Sequence, residues 1–224
     1  MKKVQKIKSA FTLAEILVAI TILGIIAAVT LPTLNANIQK RSTITALKKS
    51  YNTLGQALKL MAVEEDADIR NSYCGLNMNS TDTDIMKTCF GRWINQFSAE
   101  RQKSFSETCD SDWCKYKVAP NNLTKELNTA TAGTIRTTDG ITYFFINGIQ
   151  GDILVDTNGT LKGPNETGKD IFRFYVDYEN NRLLPGGSID DPENEKSEIF
   201  HCDKDNFNDM CTAEVIEKDV IKYY

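Results

Sequence analysis

One apolar run near the start constrains this chain more than any other feature. From Phe11 to Leu34 it reads FTLAEILVAITILGIIAAVTLPTL, with Glu15 as its only charge. As a helix rising ~1.5 Å per residue it is roughly 36 Å long, enough to cross a bilayer core of about 30 Å. Residues 1–10 ahead of it carry Lys2, Lys3, Lys6 and Lys8 and no acid. That positive flank predicts a cytoplasmic N-terminus, with everything after Leu34 on the other side. Glu15 is the anomaly, because a carboxylate in a spanning helix costs on the order of 3 kcal/mol and calls for a partner. A cleavable secretory signal fits poorly: the run is too long and no small-x-small exit site follows it. A plain signal anchor with Glu15 kept wet at the cytoplasmic face explains neither the acid nor the small residues just before Phe11.

The stretch Ser9-Ala10-Phe11-Thr12-Leu13-Ala14-Glu15, followed by an apolar helix with Gly24 and Pro32, resembles the N-terminus of type IV pilins and pseudopilins. The resemblance covers the N-terminal quarter of the chain. It implies that a prepilin peptidase cuts between Ala10 and Phe11 and N-methylates Phe11. The family usually has Gly before the cut, where this chain has Ala10. Glu15, Gly24 and Pro32 are the implied assembly positions, the last two falling where the family has a helix-loosening glycine and a proline kink. Cleavage leaves an ammonium on Phe11, and Glu15 of one subunit can neutralise that of a neighbour, removing an unpaired charge from an apolar core. The implied partners are the prepilin peptidase, other pilin or pseudopilin subunits in a helical homo- or hetero-filament, an inner-membrane assembly platform and the lipid bilayer. The implied location is the bacterial inner membrane, single-pass with an extracytoplasmic C-terminal domain, and a surface or periplasmic filament after assembly.

Past the membrane the helix should continue over 35–63. Leu34, Ile38, Ile44, Leu47, Tyr51, Leu54, Leu58 and Met61 make an apolar stripe that alternates steps of three and four from Ile44 on, as an amphipathic helix requires. The whole helix, 11–63, would approach 80 Å, its second half docked on a globular domain over 64–224. Residues 64–130 are rich in Asn, Asp, Ser and Thr, with one short helix expected near 85–97 and Trp93 and Trp113 packing beneath. Strand chemistry follows at 134–138, 141–146, 152–156 and 171–176, with Asp139-Gly140 as a hairpin turn. A further short strand is expected at 213–216. The fold class is therefore α+β: a long N-terminal helix, membrane-spanning in its first half and amphipathic in its second, packed on an antiparallel sheet of about four strands with disulfide-containing loops.

All six cysteines, Cys74, Cys89, Cys109, Cys114, Cys202 and Cys211, lie beyond the apolar run. An even count in an exported region favours disulfides; six cysteines allow 15 connectivities, and the expectation among them is the local set Cys74–Cys89, Cys109–Cys114 and Cys202–Cys211, each closing a short loop. Zinc competes weakly, since the chain has one histidine, His201, and no CxxC pair.

Between the last two strands of the sheet lies Asp156-Thr-Asn158-Gly159, then Gly163-Pro164-Asn165, then Gly168-Lys-Asp170. This run resembles a DxNG turn and GPN loop common in pilin-like proteins, and a loop after the sheet binds calcium in type II secretion major pseudopilins. Asp156, Asn158 and Asp170 offer the hard oxygens that Ca²⁺ prefers. The spacing is not that of an EF-hand, because its twelfth position is Thr167, which has no carboxylate. The alternative is an Asn-Gly turn with Asp170 at a strand edge.

The net charge of −4 becomes −8 once a leader with four lysines is gone, which argues against broad electrostatic binding of nucleic acid. No phosphate-binding loop or nucleophile constellation is present, so the chain reads as a structural subunit and not an enzyme. Two functions fit: a subunit of a type IV pilus or type II secretion pseudopilus, and a minor pilin-like membrane-anchored binding or adhesion module.

Overall fold

The computed structural model describes residues 12–64, 94, 115–118, 123–126, 132–146, 151–160, 162–192, 194 and 198–224. By internal contacts the chain divides into two units, Met1–Lys40 and Arg41–Tyr224. Helix α1 (Leu13–Glu64) is 52 residues long and contributes to both.

Within the second unit, α1 buries Ile44, Leu47, Ser50, Leu54, Ala57, Leu58 and Met61, so the stripe read from the sequence is the buried face from Ile44 on. Leu34 and Ile38 are exceptions, each 56% exposed. Ser50 tolerates burial by donating its hydroxyl to the Ala46 carbonyl and accepting one from Tyr143, at 2.9 and 3.4 Å.

The helix faces a five-stranded antiparallel meander, one strand more than expected: β3 (Ala132–Arg136), β4 (Thr142–Ile146), β5 (Asp152–Asp156), β6 (Ile171–Asp177) and β7 (Arg182–Pro185). A separate hairpin pairs β1 (Lys115–Val118) with β2 (Leu123–Glu126). Alternation selects the inner face. Tyr143, Val155 and Phe172 stand in register across three strands, and Phe145, Ile153 and Phe174 form the next row. Both rows join the helix residues in one core, where Tyr51 stacks on Phe174 with ring centroids 5.8 Å apart. Lys48 pairs with Asp219 at 2.8 Å, and Lys49 pairs with Asp139 in the β3–β4 turn. In that turn Gly140 has φ +89°, the conformation an Asp-Gly hairpin demands.

On the opposite face of β6, Arg173 is 5% exposed and lies over the Tyr175 ring at 4.6 Å. Its charge is balanced by Asp191 at 3.6 Å and Asp209 at 3.8 Å, which draws two acidic C-terminal segments onto the sheet.

Two expectations are corrected here. Residues 213–216 are not a strand closing the sheet; they lie in helix α2 (Thr212–Lys218), entered from a 3₁₀ turn at Asp209–Cys211. The β-branched pair Val215-Ile216 suggested a strand, yet the buried Glu214 reaches Lys218 one turn on at 2.6 Å, a pairing only a helix permits. The C-terminal stretch also holds a strand of its own, β7, paired with β6. Of the helix expected over 85–97, Ile94 alone is described; it is helical and fully buried. Trp93 and Trp113 lie outside the described residues.

Candidate functional site

The first half of α1 begins with a reciprocal cap. Thr12 Oγ1 accepts from the Glu15 N–H at 3.2 Å, while Glu15 Oε2 accepts from the Thr12 N–H at 2.8 Å and from its hydroxyl at 2.9 Å. This is the Thr-x-x-Glu capping box, which satisfies orphan donors of the helix start. Beyond it, Thr21, Thr30 and Thr33 donate their hydroxyls to the carbonyls of Leu17, Ile26 and Thr30 at 2.8–2.9 Å. Each of these three hydroxyls is thereby satisfied inside the helix, as a hydrocarbon surrounding requires. Pro32 sits within the helix and brings no N–H to the carbonyl of Ala28.

The surface of this segment is apolar all round. Leu13, Ile16, Leu17, Val18, Ile20 and Leu23 are each 47–79% exposed, and the same holds on to Leu34. A Cβ built on Gly24 would meet nothing within 4 Å. Apolar area of this extent is covered by lipid or by protein, never left to water. The helix is long and apolar enough to cross a membrane, which fits membrane anchoring. Ala10 and Phe11, the expected cleavage pair, lie outside the described residues.

The second candidate site is the loop joining β5 to β6, and here the structure brings Asp156, Asn158 and Asp170 together. Asp156 ends β5, and its Oδ1 accepts the N–H groups of Asn158 and Gly159 at 3.1 and 2.8 Å, an Asx turn. Gly159 has φ +81°, and a Cβ there would lie 2.3 Å from the Gly140 carbonyl oxygen, so only glycine fits. Asp170 accepts the N–H of Glu166 at 2.7 Å on Oδ1, and the N–H of Asn165 at 2.8 Å on Oδ2. The Asn158 amide also reaches Asp170 Oδ2, at 3.3 Å, so the two ends of the loop are tied. Thr157 fastens the base by donating its N–H and its hydroxyl to the Asp170 carbonyl at 2.9 and 3.0 Å.

Electrostatically the loop is under tension. Burial, followed by the charge of Asp170, pushes Asp156 up to about 8, against the pull of the Asn158 and Gly159 amides. Burial likewise raises Asp170 above the usual carboxylate range. Asp156 Oδ2, Asn158 Oδ1 and Asn165 Oδ1 are buried without a hydrogen-bond partner. Each such orphan costs about 1–3 kcal/mol.

Cys202 and Cys211 form a disulfide, as the local pairing expected. Cys74, Cys89, Cys109 and Cys114 lie outside the described residues. The bond closes a loop that Glu214 braces from within: its carboxylate accepts from the Cys202 N–H at 2.7 Å and lies 2.9 Å from His201 Nδ1.

Three residues escaped the sequence reading. Thr12 was legible, since Thr-x-x-Glu before an apolar run is a helix-start signal. Asn165 was visible only as part of a turn, and Glu214 carried no signal beyond its type.

Residues 5–31 match a family model described as the prokaryotic N-terminal methylation motif. No curated protein and no solved structure matches the chain.

Proposed function

The methylation motif at residues 5–31 is the signature of type IV pilins and pseudopilins, and from that premise we propose that this chain is a filament subunit of a type IV pilus or type II secretion pseudopilus. A prepilin peptidase removes 1–10 and methylates Phe11. The processed chain then waits in the inner membrane, with Phe11 at the cytoplasmic face and the β-sheet unit outside.

The observation that carries this reading is the exposure of every large apolar side chain from Leu13 to Leu34 on one helix. Lipid tails and the helices of neighbouring subunits are about equally apolar, so moving the segment from bilayer to filament has a low net cost. What decides between the two environments is then packing and charge. Gly24, with open space at its Cα, lets a neighbouring helix approach closely. Glu15 caps its own helix through Thr12 in the single chain. In the filament it takes up the Phe11 ammonium of an adjacent subunit, and an unpaired charge leaves the apolar core. The amphipathic second half of α1 transmits this packing to the sheet unit. Cleavage and methylation are chemistry done to the chain by another protein.

The test is the N-terminal residue and mass of the chain co-expressed with a prepilin peptidase, where N-methyl-Phe11 is expected. An intact Met1 terminus, under conditions that process a control with Gly before the cut, would overturn the proposal. Glu15→Leu should then insert into membranes at the wild-type level yet enter filaments at least tenfold less; wild-type incorporation would sink the charge-pairing account.

A further inference from the structure

The docked half of α1 has a second, bare face. With Ile44 to Met61 turned into the core, Arg41, Thr45, Lys49, Asn52, Gln56 and Lys59 follow one another on the opposite side at steps of three and four, all exposed. Asp139 of the β3–β4 turn borders this face by pairing with Lys49, and Asp219 at the end of α2 borders it by pairing with Lys48. Between those borders the face is open. Its spacing would suit a packed helix, but its residues are polar, so an apolar partner would bury groups it cannot satisfy. Residues 16–63 hold five cations, Lys40, Arg41, Lys48, Lys49 and Lys59, and no acid. Residues 65–224 hold 17 Lys and Arg against 28 Asp and Glu, a net of −11, and 190–219 alone hold eleven acids against three lysines. In the loop closed by Cys202 and Cys211, Asp203 and Asp205 are exposed. Asp203 spends Oδ1 on the N–H groups of Asp205 and Asn206, both at 2.9 Å. Among the described residues neither aspartate forms an ion pair, and neither do Arg41 and Lys59.

We propose that the outward face of α1 over residues 41–59 docks the acidic C-terminal surface of a second copy of this chain, led by Asp203 and Asp205. Cations without an acid on one surface and unpaired acids on another make the chain complementary to itself. The two surfaces differ, so the contact is head-to-tail: each copy keeps one unused surface of each kind, and the array extends instead of closing as a pair. It also sets cations between units that each carry a net of −11 and would otherwise repel. Lys48 and Lys49 can join in, because their present ion pairs are exposed and worth little.

A lipid surface fits this face less well. Lys59 lies 25 residues past Leu34, roughly 37 Å of helix, whereas a headgroup layer is only about 5–7 Å deep. Nucleic acid would meet the repulsion of the acidic unit on either side of the helix. The inference deepens the filament reading and rests on it for the place of the contact in an assembly: it names which surface of one subunit meets which surface of the next.

The experiment uses the full chain, half of it isotope-labelled, in vesicles of zwitterionic phosphatidylcholine, with a water-soluble carbodiimide to join lysines to carboxylates in contact. Crosslinks between peptides of unlike label can come only from two copies. They are expected between Lys59 and Asp203 or Asp205, while Lys48–Asp219 crosslinks of like label report the folded unit. Raising salt from about 0.05 to about 0.5 M shortens the screening length from roughly 14 to 4 Å and should cut the unlike-label crosslinks about fivefold. A chain with Arg41→Glu and Lys59→Glu should lose them. Mixed with a chain carrying Asp203→Lys and Asp205→Lys, it should regain about a third or more through the reversed charges. Absence of unlike-label crosslinks in the wild type overturns the proposal, as does failure of the reversed pair to form them. Added anionic phosphatidylglycerol or short duplex DNA should leave the wild-type crosslinks in place; their loss to either makes that the better occupant and overturns it as well. The assay needs neither prepilin peptidase nor an assembly platform, so a chain that stays unprocessed refutes the filament reading while the vesicles judge this contact separately.

Discussion

Helix α1 carries two tasks on one continuous element, and paired substitutions separate them. Leu54 is 0% exposed in the core between helix and sheet, whereas Leu23, on the same helix, is 65% exposed. Leu54→Ala removes a fully buried isobutyl group and leaves a cavity in the core cluster to which Phe145 and Phe174 also belong. Substitutions of this kind cost 2–5 kcal/mol, and about 3 kcal/mol is expected here because a rigid helix against a five-stranded sheet collapses little. Alanine favours helix, so none of that loss comes from helix propensity. For a unit of this size, 3 kcal/mol lowers Tm by about 6–12 °C. Leu23→Ala removes a group that is already 65% exposed, and its effect should stay within about 0.5 kcal/mol, or 1–2 °C. The assay is near-ultraviolet circular dichroism of the full chain in detergent, heated with the wild type in parallel. Comparable losses for the two variants, or a loss under about 1 kcal/mol for Leu54→Ala, would refute the division of labour.

Three further predictions concern the globular unit. Gly159→Ala forces a side chain into a φ of +81° and against the Gly140 carbonyl. It should cost at least 2 kcal/mol, roughly 1–2 from the backbone conformation alone, and chemical denaturation should show it. Glu214 is held below the usual carboxylate range: burial, the largest influence, raises it, but Lys218, the Cys202 N–H and His201 together outweigh that. Its folded pKa is thus lower than its unfolded one, so its stabilising contribution is complete above the ordinary value of 4.5 and is lost as pH falls through the folded value. Glu214→Gln should flatten the acid limb of a Tm-against-pH profile between roughly pH 5 and 3, and an unchanged limb would refute the assignment. Replacing Cys202 and Cys211 together by Ser opens a loop with a sequence separation of 9, and should lower stability by on the order of 2–3 kcal/mol in denaturant titration.

Much of this architecture is legible in the one-dimensional pattern because it rests on local rules. Apolar residues at helical spacing from Ile44 to Met61 announced the docked face, and alternation in 141–146 and 171–176 announced strands, because periodicity follows directly from backbone geometry. Asp139-Gly140 revealed its turn because only a residue free to take positive φ fits there. The misreading at 213–216 has an equally physical origin. Seven residues carry too little periodicity to separate helix from strand, and the choice fell to contacts made elsewhere: Glu214 with Cys202 and Lys218, and Thr212 with the Arg173 backbone. β7 went unread because its acidic surroundings hid four residues whose pairing with β6 is a tertiary event.

The candidate sites divide along the same line. Sequence alone determined the membrane-anchoring helix, its lone acid and its methylation motif, because hydrophobic length and charge placement act without reference to any fold. It also marked Asp156, Asn158 and Asp170 as oxygen donors, since residue type is a local property. The tertiary structure decided that residues up to fourteen positions apart would be buried side by side, that Asn165 would join them, and that three of their oxygens would be left without partners. Burial and proximity arise only when β5 and β6 pair and the tail folds back over the loop, and a string of residues does not encode dielectric or distance until that has happened.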